Sequence, residues 1–143
     1  SSLAALEKIA AAGARSSVMI LNGLGGRRYS EQHAVNSARL MNAAQPDFLS
    51  TLVVSFPTGP ERFEQGFEGE FEPLDQAGLF QEMLWLLETL DLQSTVFRSD
   101  HASNYLVLKG TLNADRDRLL ATVRTAIDRP ATVPLRQEWQ RGL

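Results

Sequence analysis

The sequence predicts an α/β protein in which short parallel strands alternate with amphipathic helices. Two apolar runs, at 17–21 and 48–56, are bounded by Gly, Asn and Pro, as strands in a parallel sheet are. Segments with helical spacing lie before, between and after them. A chain of 143 residues with 43% hydrophobic content suits a single domain, 1–143, with its own core.

Leu3, Leu6, Ile9 and Ala10 recur at helical spacing and Gly13 follows as a stop, which predicts a first helix over about residues 2–12. Ser17-Val18-Met19-Ile20-Leu21 is the first strand and ends in Asn22-Gly23-Leu24-Gly25-Gly26. Ser30 then stands where an N-cap belongs, with Glu31 in the first turn, and Ala34, Ala38, Leu40 and Met41 mark a helix face to about residue 44. Pro46-Asp47 opens the second strand, which Pro57-Thr58-Gly59-Pro60 terminates. Residues 61–72 scatter Phe63, Phe67 and Phe71 among acids and glycines, the pattern of a functional loop holding at most a short helix. After Pro73, Asp75 caps a helix over about residues 76–91 that carries Leu79, Phe80, Met83, Leu84, Leu87 and Leu90. Brief strand signals follow at 95–97 and 105–108, and Asn113 or Asp115 begins a last helix that Pro130 stops. Only two strong strands emerge. Two parallel strands neither cover helices nor close a barrel, so the chain is expected to be part of a larger α/β structure or a small domain with supplementary pairing.

Fourteen Lys and Arg against 17 Asp and Glu give a net charge of −3 with no long block of either sign, which leaves no electrostatic footprint for nucleic acid or anionic lipid. The expected partner is a small molecule or another protein. No apolar run approaches the roughly 18–20 residues of a membrane span. The absence of cysteine excludes disulfides, thiolate zinc sites, cysteine nucleophiles and cysteine-ligated iron–sulfur clusters on this chain. With no basic-then-apolar signal pattern, the expected location is the cytoplasm.

The glycine cluster fails both phosphate-binding templates. A dinucleotide fingerprint counted from Gly23 meets Gly25 and then Arg28, and a Walker loop needs Lys followed by Ser or Thr. Glycines at a strand end remain either a tight βα turn or a place where backbone approaches a ligand. Arg27 and Arg28 read as an anion contact or as solvated surface. Ser55-Phe56-Pro57-Thr58 lies where open α/β sheets keep ligand-facing loops, although strand termination alone accounts for Pro57. Residues 98–104, Arg-Ser-Asp-His-Ala-Ser-Asn, concentrate polar groups beside apolar segments and read either as a site or as a hydrogen-bonded turn. Ser99, Asp100 and His101 are consecutive and form no catalytic relay among themselves. A histidine metal site would require His33 and His101 to converge with carboxylates.

Taken in order, the segments around NGLGG, SFPTG, GEFEPLD and FRSDHASNYLVLKGTL resemble the C-terminal half of radical S-adenosylmethionine (radical SAM) enzymes over roughly residues 3–128. The similarity is greatest to a subgroup labelled Fe–S oxidoreductase or coproporphyrinogen-oxidase-like. It implies the C-terminal portion of a partial (β/α)6 TIM-like barrel, with the first helix a crossover and the two strong strands the last two of the barrel. In that family a CxxxCxxC loop binds a [4Fe-4S] cluster that holds S-adenosylmethionine, and a chain without cysteine completes neither cofactor site. The resemblance sets Leu21 and Gly23 on a fifth-strand motif near the adenine, GxIxGxxE, a partial match with Gly26 in its Glu position. It sets Val54, Ser55 and Phe56 at an adenine contact, and His101, Ser103 and Asn104 on a polar motif expected to bind substrate. The chain would then be inert alone, awaiting the missing N-terminal half of the barrel and prone to self-association through an exposed sheet edge. The competing expectation is a self-contained α/β domain that binds a small ligand or another protein. A hydrolase built on His101 is a third.

Overall fold

The computed structural model describes residues 1–142. Four strands lie side by side in chain order: β1 (Ser17–Asn22), β2 (Phe48–Val53), β3 (Thr95–Ser99) and β4 (Leu108–Leu112). The first three are parallel, with Ser17 opposite Phe48 and Phe48 opposite Val96, and β4 joins β3 antiparallel. Helix α1 (Ser2–Ala11) precedes the sheet, α2 (Gly26–Ala44) links β1 to β2, and α3 (Glu61–Gly66) and α4 (Gln76–Thr89) link β2 to β3. Helix α5 (Arg116–Asp128) follows β4.

This order explains the layering. Both parallel connections step the same way along the sheet, and right-handed crossovers that step the same way set their helices on one face. There α2 packs on α4 and α4 on α5. Ile20, Leu49 and Phe97 from the strands meet Ala38 and Met41, Leu86 and Leu87, and Leu119 and Val123 in one buried cluster. On the opposite sheet face Met19 is 68% exposed and Leu21 40%.

The open mixed sheet corrects the expectation of a parallel TIM-like barrel segment. The connection 100–107 holds no helix, and a parallel crossover needs a dozen or more residues; the chain therefore turns back and β4 runs antiparallel. The fourth strand also begins at Leu108, where the apolar run 105–108 ends. Leu106 is instead buried in the core from the loop, at 6% exposure.

Helix α4 starts as expected, with Asp75 Oδ1 accepting the Gly78 N–H at 2.8 Å. Helix α2 does not. It begins at Gly26, kinks at Tyr29 (φ −115°, ψ 15°), and leaves Ser30 inside rather than at its cap. The acid-and-glycine segment folds over its own aromatic cluster, in which Phe63 lies 5.1 Å from Phe56, 5.1 Å from Phe67 and 4.9 Å from Phe71. That cluster closes against Gly26. At φ +58° with Phe71 2.9 Å from where a Cβ would stand, the position excludes any side chain.

Candidate functional site

Three features meet near the carboxyl ends of the parallel strands. The first is a buried carboxylate. Glu82, 1% exposed on α4, accepts the Gly23 N–H at 2.7 Å on one oxygen and the Ser30 hydroxyl at 2.6 Å on the other. Burial pushes its pKa above the usual carboxylate range, while the bonds from Ser30 and Gly23, and the charge of His33 whenever that ring is protonated, pull against that rise. Gly23 also lies close to the next strand, since a Cβ there would stand 3.1 Å from Val54 Cγ1. The glycine turn is thus tied to α4 and β2.

The second feature is a groove along the outer edge of β1. Ser16 and Asn22 accept the amides of Phe48 and Val54 through their carbonyls, at 3.0 and 2.9 Å. Ser17, Met19 and Leu21, out of phase with them, direct their main-chain groups away from β2. One of these groups has a partner: His33 Nε2 donates to the Leu21 carbonyl at 2.8 Å, which leaves Nδ1 of the neutral ring as an acceptor. A groove of about 560 Å³ runs between this edge, Ala5 and Leu6 of α1, and Ser37 and Leu40 of α2. A second cleft of about 460 Å³ adjoins it, sharing Leu24, His33 and Ser37 and reaching Tyr29, Phe63 and Phe67. No Asp, Glu, Lys or Arg lines either part.

The third feature is the polar segment at 98–104, and its groups satisfy one another. Ser103 Oγ accepts the Val53 N–H at 3.0 Å and lies 2.9 Å from His101 Nδ1, which accepts the Ser103 N–H at 3.1 Å. Asn104 Nδ2 donates to the Thr51 carbonyl at 3.0 Å. Arg136 donates to the carbonyls of Asp100, His101 and Asn104, and Arg141 to that of Ser103. Ser103 and Asn104 are each 3% exposed. The segment extends the end of β2 and clamps the turn into β4; a hydroxyl this enclosed and already accepting a main-chain bond presents no open nucleophile.

The residues assigned to an adenine contact do not share one surface. Leu21 lies on the sheet face opposite the buried cluster, Gly23 and Val54 pack on each other, Ser55 is exposed, and Phe56 belongs to the aromatic cluster. Arg27 and Arg28 pair with Glu72 and Glu70 at the surface. Sequence patterns passed over Glu82, whose partners lie 59 and 52 residues away, and the role of His33, whose acceptor is a main-chain carbonyl. Spacing was available for Tyr29, His33, Ser37 and Leu40, which fall on one stripe of α2.

Among the described residues no group of three or more His, Asp or Glu is arranged to hold a metal ion, and no helix is long and apolar enough to cross a membrane. No family model, curated protein or solved structure matches this chain. With no cysteine, no such cluster and a sheet that does not form a barrel, the terms radical SAM, iron–sulfur and TIM barrel do not describe it.

Proposed function

We propose that this chain is a self-contained α/β binding domain that takes an extended segment of a partner protein as an added strand on β1. One observation carries the proposal: the outward main-chain groups of Ser17, Met19 and Leu21 form a strand edge with a groove beside it and no charged side chain along it. Such an edge recruits a partner strand through main-chain bonds worth about 0.5–1.5 kcal/mol each. The uncharged lining favours a segment that is itself uncharged where it lies. A second copy pairing through the same edge would carry its own α1 into the groove. Helix axes need about 8–10 Å between them, whereas paired strands sit about 4.8 Å apart.

Met19→Pro tests this, because an edge proline removes one outward N–H and leaves the pairing with β2 intact. Wild-type domain should enrich apolar dodecapeptides from a displayed random library, and the variant, with its cooperative melting retained, should not. Equal enrichment by both overturns strand addition. A wild-type dimer in sedimentation that Met19→Pro converts to monomer would make the occupant a second copy and overturn the partner assignment.

A further inference from the structure

The groove does not end with the strand. Beyond the Leu21 carbonyl it opens into the cleft where Tyr29, Phe63, Phe67 and His33 stand around the Leu24-Gly25 turn. Tyr29, Phe63 and Phe67 are carbocyclic rings, and Tyr29 and Phe67 already meet with centroids 6.1 Å apart and planes tilted by 47°. The rings are not closed over: Tyr29 is 40% exposed. His33 supplies the polar element. Its Nε2–H is spent on the Leu21 carbonyl, so what the ring offers a ligand is the lone pair of Nδ1.

We propose that this cleft is a pocket for an aromatic ring carrying a polar hydrogen, the phenol of a tyrosine or the indole of a tryptophan, with His33 Nδ1 as its acceptor. A purely hydrocarbon ring would bury comparable area and leave Nδ1 without a donor. A volume of about 460 Å³ accommodates one bicyclic ring. Attachment of that ring to an extended peptide rests on the strand-addition proposal above; the specificity of the pocket for the ring does not.

The probes are therefore free ring compounds: p-cresol, 3-methylindole and toluene, titrated into the intact chain and followed by amide chemical shifts. p-Cresol and 3-methylindole should shift Leu24, Gly25, Tyr29, Phe63 and Phe67 and bind about three- to ten-fold more tightly than toluene, the factor expected of one hydrogen bond. In His33→Phe, which keeps an aromatic wall, that preference should fall to about one. Equal binding of toluene and p-cresol to the wild type overturns the pocket, as do shifts at other residues or no binding; this comparison needs no variant. Enrichment of displayed peptides that lack Tyr and Trp would sink this inference and leave strand addition standing. Ring binding without any peptide capture would do the reverse.

Discussion

The two edges of the sheet are built to opposite rules. On β4, Asp115 Oδ2 accepts the Thr111 N–H at 2.7 Å and Arg118 donates to the Lys109 carbonyl at 2.8 Å, so side chains of the following helix occupy the outward main-chain groups. Lys109 adds a charge, paired with Asp100 at 3.3 Å. On β1 one outward group is capped, by His33, and the strand holds Met19 and Leu21 with no charge, proline or bulge. Capping and charge are the ordinary means of keeping an edge from pairing with another chain. Both devices act on β4 and only the single His33 contact on β1, which is why the proposed strand addition is assigned to β1.

The largest effect should come from the anchor behind that open edge. Glu82→Ala leaves the Gly23 N–H and the Ser30 hydroxyl buried without an acceptor and should cost about 2–4 kcal/mol in urea unfolding. Glu82→Gln keeps both contacts, with the amide oxygen accepting from Gly23 and the amide nitrogen donating to Ser30, and should equal or exceed the wild type at neutral pH. The two proteins should also differ in pH dependence. A carboxyl whose folded pKa is raised contributes stability that is fully present below its unfolded pKa and is lost as pH rises through the folded value. Urea midpoints of the wild type should therefore fall as pH climbs above the usual carboxylate range, and those of Glu82→Gln should fall less.

A smaller effect is expected on the protected side. Asp115→Ala removes the acceptor of the Thr111 amide and should cost about 1–2 kcal/mol. It should also give β4 a freer edge, detectable as more concentration-dependent sedimentation than the wild type shows. The smallest change in stability belongs to Met19→Lys, within about 0.5 kcal/mol by thermal melting because the side chain is 68% exposed. Peptide capture by that variant should nevertheless disappear. Retention of capture would remove the distinction between the edges.

Local chemistry was legible in the sequence wherever it acts within a few residues. Asp75 and the leucine spacing of α4 announced that helix, and the run from Ser17 announced β1. Ser30 misled because its hydroxyl had two uses: it suits an N-cap, but a buried carboxylate 52 residues away takes it. β4 was displaced because Leu106 is apolar for the core rather than for a strand, a distinction made by tertiary packing. At His101, Ser103 and Asn104 the sequence left a site and a hydrogen-bonded turn open, and the bonds of the turn reach partners at Val53, Thr51, Arg136 and Arg141 that no local pattern reveals. The open groove was least legible of all. It is made by what does not lie beside β1, and the sequence of a strand does not state whether it has one neighbour or two.

The strand order has a kinetic side as well. Because every strand pairs with the one made just before it, the sheet can be assembled in the order in which the chain leaves the ribosome, with no strand waiting for a distant partner. β1 is therefore made before the capped edge on β4. A binding strand present during translation would find β1 available before the core behind it is complete.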